Sequence, residues 1–219
     1  MGGVGVSWEE IHRSRPWGRW PAEEVVRALA PMRGADLVVL DLGCGGGAQL
    51  WYLAREGFRP VGLDVAFAAV TRSRDRLAEE GLAAPLAQGD GRRLPFRASS
   101  FDLVLDVQAL SCLHDTDVPG AWREVARVLR PGGRFVTIGF TRRTADGIDA
   151  CWLTERTCTG VRDGPLAGLG TLNFVDDDAL VAYARPDLEI EDLQLRSRTV
   201  GPDHRLIEER ITVARRTGR

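Results

Sequence analysis

An α/β fold wound around a parallel sheet is predicted by three observations in the 219-residue sequence. Val38-Val39-Leu40-Asp41-Leu42 is a short, almost wholly apolar run of the kind that fills a central strand covered on both faces. It leads directly into Gly43-Cys44-Gly45-Gly46-Gly47, and a helical segment follows from Ala48. Strand-like and helix-like segments then alternate as far as Phe140, the order of successive βαβ units.

Taken in order, residues 1–20 have neither helical nor alternating periodicity, yet hold Trp8, Trp17 and Trp20 together with His12, Arg13, Arg15 and Arg19. They are expected to form an irregular arm that folds over the body and covers something apolar. Pro21 suits a first helical position and Glu23 and Glu24 a first turn, which predicts a helix over 21–30. After the glycine turn a helix over 49–56 stops at Gly57, and a strand over 60–64 follows. Next come a helix over 67–80 closed by Gly81, a short strand at 86–88, a strongly apolar strand at 101–107 and a helix over 119–129. Arg130-Pro131-Gly132-Gly133 reads as a turn before a fifth strand at 134–140. Residues 141–175 are rich in Gly, Thr and Arg without a period, and a connection of that length inside one domain is usually functional. A helix over 176–185 precedes strands near 188–198 and 206–215, which Gly201-Pro202-Asp203 joins as an antiparallel hairpin.

The length and the 44% hydrophobic content suit one core, so a single domain is expected over 1–219. Its parts are an arm and helix (1–30), a cofactor-binding core (36–140), an acceptor-site connection (141–175) and a C-terminal helix and hairpin (176–219). The formal charge of −2 provides no global basic field, and the 29 cationic residues are all arginine, so nucleic acid is not an expected partner. Cys44, Cys112, Cys151 and Cys158 form no CxxC pair and no zinc-ligand spacing; they are expected to be free thiols, with no metal site. No apolar run approaches the roughly 20 residues that span a bilayer, and no basic-then-apolar leader opens the chain. A soluble cytoplasmic protein, monomer or homodimer, is expected, with no membrane partner.

The glycine turn is a cofactor seat, because glycines let backbone approach a ligand closely. Its identity is open on spacing alone: Gly43-x-Gly45-x-x-Ala48 also satisfies the dinucleotide fingerprint, with Asp64 at about the ribose-reading distance. Asp41 discriminates. Unit charges a few Å apart interact by roughly 4 kcal/mol at an effective dielectric of about 20, so a carboxylate two places before the turn repels a pyrophosphate and favours a cation. S-adenosylmethionine carries an ammonium and a sulfonium and no phosphate.

The chain resembles the class I methyltransferases that use S-adenosylmethionine, in particular the small-molecule branch that includes ubiquinone and menaquinone biosynthesis enzymes. The likeness covers about residues 36–140 and rests on Asp41-Leu42-Gly43-Cys44-Gly45-Gly46-Gly47, Gly62-Leu63-Asp64, Gln88-Gly89-Asp90, Leu94-Pro95-Phe96, Phe101-Asp102-Leu103-Val104 and Arg130-Pro131-Gly132-Gly133. It implies a Rossmann-like doubly wound sheet of seven strands in the order 3-2-1-4-5-7-6, the last antiparallel, with helices on both faces. It also implies roles. Asp41 and the turn Gly43, Cys44 and Gly45 would hold the methionine moiety, Asp64 both ribose hydroxyls, and Asp90 the adenine amino group, with Gly91 beside it and Val65 on the ring. Asp106, Val107 and Gln108 would stand just past the fourth strand, where ligands collect outside the carboxyl edge of the sheet. Trp17 and Arg19 would close over the cofactor, Arg19 meeting its carboxylate, while Arg142, Arg143, Trp152 and Arg156 would wall an anionic small-molecule acceptor.

Many relatives carry a His-His pair after the fourth strand; here Ser111-Cys112 stands there and His114 follows. His114 and His12 are the candidate bases, needed only if the acceptor arrives protonated. The function implied is methyl transfer to an oxygen or nitrogen of a small metabolite. The alternatives are a cofactor-binding protein of this fold that transfers no methyl, and a nicotinamide oxidoreductase.

Overall fold

The computed structural model describes residues 7–15, 18–145 and 147–218. In chain order its elements are α1 (Trp8–Ser14), α2 (Glu23–Leu29), β1 (Val38–Leu42), α3 (Ala48–Arg55), β2 (Arg59–Asp64), α4 (Phe67–Glu79), β3 (Leu86–Gln88), β4 (Phe101–Val107), α5 (Val118–Val128), β5 (Leu129–Phe140), β6 (Cys151–Trp152), β7 (Thr157–Thr159), β8 (Leu172–Asn173), α6 (Asp177–Ala184), β9 (Leu188–Val200) and β10 (Arg205–Arg216). Short 3₁₀ turns cover Ala30–Met32, Leu110–Cys112 and Arg142–Ala145.

Seven strands form one sheet in the order β3-β2-β1-β4-β5-β10-β9. The first five strands run parallel, and β10 is antiparallel to both neighbours. With β9 and β10 as sixth and seventh strands, this is the order the resemblance implied. Alternation along β1 divides the core between two faces. Leu40 and Leu42 join Val104, Phe135 and the α5 residues Trp122 and Val125. Val39 joins Leu103, Leu105, the α2 residues Val25 and Leu29, and the α3 residues Leu50 and Leu53. Trp122 meets Phe135 edge-on at 5.0 Å, a geometry that contributes about 0.5–1.5 kcal/mol beyond burial. Asp41 lies opposite Gly62 on one side and Leu105 on the other, so β1, β2 and β4 end together and their loops share one edge.

Four local expectations are corrected. The arm is not wholly irregular: α1 is nucleated by a capping box, in which Ser7 Oγ accepts from the Glu10 N–H and the Glu10 carboxylate accepts from the Ser7 N–H. Helix α2 starts at Glu23 with Ala22 as its cap, leaving Pro21 outside. Strand β5 starts at Leu129, and Arg130–Gly133 is a slip in its register against β4, from Phe101 opposite Leu129 to Leu103 opposite Arg134. The 141–175 connection contains a three-stranded antiparallel sheet, β6-β7-β8, packed over Phe140, Cys158, Leu172, Phe174 and Ile207. Among the described residues no helix is long and apolar enough to cross a membrane.

Candidate functional site

The turn after β1 is shaped by close approaches that exclude side chains. Gly43 has φ +71°, and a Cβ there would stand 2.2 Å from the Ala109 Cβ. Gly47, at φ +79°, packs against Ser73, which would lie 3.0 Å from an added Cβ. The N–H groups of Gly43 and Cys44 both donate to the Leu63 carbonyl, at 2.8 and 2.9 Å, tying the turn to the end of β2. Asp64, the last residue of β2, secures the same turn: one carboxylate oxygen accepts from the Gly45 N–H and the other from the Ala66 N–H, each at 2.9 Å.

A cavity of about 1000 Å³ opens over this edge, at the top of the range of roughly 300–1,000 Å³ usual for small-molecule sites. Its cofactor end brings together Gly43, Cys44, Gly45, Asp64, Val65, Asp90, Gly91 and Val107. Asp64 keeps lone pairs for a ligand, since a carboxylate has about four acceptor sites and two are used. The Asp90 carboxylate is gripped by Arg92, whose Nη2 lies 2.6 Å away; those hydrogen bonds hold Asp90 below the usual carboxylate range.

Asp41 and Asp106 are placed differently from the expectation. Neither is on the cavity wall. Asp41 is buried beneath the turn, and its Oδ2 has no hydrogen-bond partner among the described residues. Burial, then the neighbouring carboxyls of Asp64 and Asp106, push it up to about 8, while the Leu50 backbone acts the other way. Without a nearby cation it is therefore neutral at pH 7. Asp106 accepts from the Leu110 N–H at 3.0 Å and the Thr137 hydroxyl at 2.6 Å, pinning the chain as it leaves β4; burial pushes it up to about 6.

The arm roofs the cavity with Trp8, His12 and Trp20. Glu9 accepts from the Ala68 N–H at 3.0 Å, and Arg72 donates to the carbonyls of Arg15 and Arg13. His12 is buried over Gly45; burial lowers it below its ordinary value, with Asp64 pulling the other way. His114 also lines the cavity, with Nδ1 2.9 Å from the Thr116 hydroxyl oxygen and 2.9 Å from an Asp115 carboxylate oxygen. Arg19 turns outward to Glu79 at 2.9 Å and is not on the wall. Trp17 lies outside the described residues.

The expected acceptor wall is also rebuilt. Arg142 donates to the Glu155 carbonyl, Arg143 pairs with Glu208, Arg156 with Asp176, and Trp152 packs beside Phe174. None of the four lines the cavity. Their place is taken by Gln108, Cys112, Phe140, Leu169, Thr171, Arg196 and Arg198. Arg196 and Arg198 went unread as site residues; their i, i+2 spacing in a predicted strand was the available signal, because it sets them on one face.

These features fit S-adenosylmethionine: a turn in which Gly43 and Gly47 leave no room for a Cβ, a ribose-ready carboxylate, and a buried, unpartnered carboxyl oxygen behind the seat. A doubly wound sheet with its crevice at the carboxyl edge defines a Rossmann-like cofactor-binding domain. More narrowly, a family model described as a methyltransferase domain matches residues 39–133, and that stretch is a methyltransferase domain. It is 35% identical over 170 residues to methyltransferase GfsG of Streptomyces halstedii, covering 75% of this chain and 58% of that protein's length. Among solved structures it resembles a SAM-dependent methyltransferase of Methanosarcina mazei (TM-score 0.71, 20% identity, 87% of this chain and 97% of that one). It also resembles the 1,6-didemethyltoxoflavin-N1-methyltransferase of Burkholderia thailandensis, solved with bound 1,6-didemethyltoxoflavin and S-adenosylhomocysteine (TM-score 0.66, 20% identity, 89% of this chain and 77% of that one).

Proposed function

We propose that the protein transfers a methyl group from S-adenosylmethionine to an oxygen or nitrogen of a small-molecule acceptor, chiefly by positioning. The observation that carries this is the continuity of one cavity, from Gly43 and Asp64 at one end to Arg196 and Arg198 at the other. The backbone of Gly43, Cys44 and Gly45 holds the methionine end, with Asp41 behind it as a carboxyl that ionises against the ammonium. Asp64 takes the ribose hydroxyls, Val65 packs on the adenine, and Asp90 and Gly91 meet its edge.

The bound cofactor supplies a methyl carbon already activated by a sulfonium. What remains for the chain is to hold the acceptor in line and exclude water, and orientation of this kind is worth effective molarities of about 10⁵–10⁸ M. Trp8, His12 and Trp20 roof the cavity. For a protonated acceptor, His12, whose value burial lowers, or His114, positioned through Nδ1 by Thr116, takes the proton. Titration calorimetry with S-adenosylhomocysteine tests the seat: Asp64→Ala removes hydrogen bonds worth about 1.5–3 kcal/mol each when one partner is charged, so affinity falls at least tenfold. An unchanged titration overturns the assignment. Incubation with a metabolite extract and isotopically labelled methyl donor is expected to give a labelled O- or N-methyl product by mass spectrometry; absence of label overturns transfer.

A further inference from the structure

At the acceptor end, one buried carboxylate organises three cavity-lining side chains. Glu209 on β10 has no exposed surface. Its Oε1 accepts from Gln108 Nε2, its Oε2 accepts from Arg196 Nε at 2.9 Å and Nη2 at 2.5 Å, and the Arg198 Nε stands 3.9 Å from that same oxygen. Gln108, Arg196 and Arg198 line the cavity; Glu209 does not. An ionised carboxylate only accepts, so it fixes these groups from behind. Gln108 holds φ +68°, uncommon for a residue with a side chain and typical of ligand clamps.

The two arginines are not equivalent. Arg196 is fully engaged, because its Nη1 reaches Glu24 on α2. Arg198 is not: 3.9 Å exceeds hydrogen-bond reach, its side chain is 51% exposed, and among the described residues its Nη atoms have no partner. The two arginines balance Glu24 and Glu209, so what the wall presents is an open guanidinium fork rather than a bare positive field. Such a fork matches the two oxygens of a carboxylate. Beside it lies apolar surface: Arg198 is opposite Ile207 in the hairpin, and Ile207 clusters with Phe140 and Leu169.

We propose that Arg198 seats a carboxylate of the methyl acceptor, whose apolar portion lies toward Phe140 and Leu169. The proposal deepens the methyl-transfer reading and rests on it. Calorimetry on the full chain saturated with S-adenosylhomocysteine tests it with two matched probe pairs, 4-phenylbutanoate against 4-phenylbutanamide and dodecanoate against dodecanamide. In at least one pair the carboxylate is expected to bind tenfold or more tightly than the amide. Arg198→Gln should erase that preference and leave S-adenosylhomocysteine affinity within twofold, while Arg198→Lys keeps part of it. Equal binding of acid and amide, binding of none of the probes, or a preference that survives Arg198→Gln overturns the proposal. So does a tenfold loss of S-adenosylhomocysteine affinity in Arg198→Gln, which assigns the arginine to the cofactor and leaves methyl transfer standing. Failure of the unmodified chain to bind S-adenosylhomocysteine brings down both.

Discussion

Replacing Asp41 by Asn, a near-isostere that cannot ionise, is expected to change how stability depends on pH. In the folded chain burial, and after it Asp64 and Asp106, raise this carboxyl from 3.8 to about 8. Between those values the folded protein keeps a proton that the unfolded chain releases, so unfolding gains ground as pH rises. A raised folded value gives stability that is complete below pH 3.8 and lost on the way up through pH 8. The slope is about 1.4 kcal/mol per pH unit, or roughly 3 kcal/mol between pH 5 and 7. Asp106 acts in the same direction but is common to both proteins and cancels in their difference. Urea unfolding of the native chain and of Asp41→Asn at pH 5, 6 and 7 measures it. The native chain should lose stability relative to the variant across that range, and a difference that moves by less than 1 kcal/mol refutes the buried neutral carboxyl. With cofactor the effect weakens, since the ammonium favours the carboxylate. Binding of S-adenosylhomocysteine at pH 7 should then release a proton, seen as a heat that varies with buffer ionisation enthalpy, and Asp41→Asn should abolish that variation.

Gly43→Ala combines a left-handed backbone, costing about 1–2 kcal/mol, with a Cβ placed 2.2 Å from Ala109, an overpacking of about 1–3 kcal/mol. Urea unfolding should report a loss of at least 2 kcal/mol, and a variant within 0.5 kcal/mol of the native chain contradicts the tight seat. Ser7→Ala removes the cap of α1 at about 1 kcal/mol. Amide exchange should accelerate in α1 while β1, β4 and β5 keep their protection, and unaltered exchange in α1 refutes the capping box.

The sheet was legible because its strands carry their burial in composition: apart from Asp41, Asp102 and Asp106, Val38–Leu42 and Phe101–Val107 are apolar on both faces. Asp64 and Gly43 were legible for a related reason, since the end of a parallel strand has a fixed place in such a sheet. The arm was misread because a helix of seven residues is too short for a period to show, and its signal was the Ser7-x-x-Glu10 pair instead. The small sheet was missed because strands of two or three residues, such as Cys151–Trp152 and Leu172–Asn173, leave no alternation to read. The acceptor wall depends on long-range pairing. Arg142, Arg143 and Arg156 found carbonyl or carboxylate partners off the cavity. Arg196 and Arg198 reached it because the hairpin register sets Arg196 opposite Glu209 and Arg198 opposite Ile207, a pairing that their i, i+2 spacing alone does not reveal.

The arm is fastened through its main chain as well as through the side chains of Glu9, Arg15 and Arg19. Arg72 and Arg76 of α4 grip the carbonyl oxygens of Arg13, Arg15 and Arg19, groups that every amino acid possesses. Changing the exposed Trp20 therefore leaves these main-chain clips in place. That position on the roof is one where a new acceptor shape can be cut without recasting the cofactor seat below.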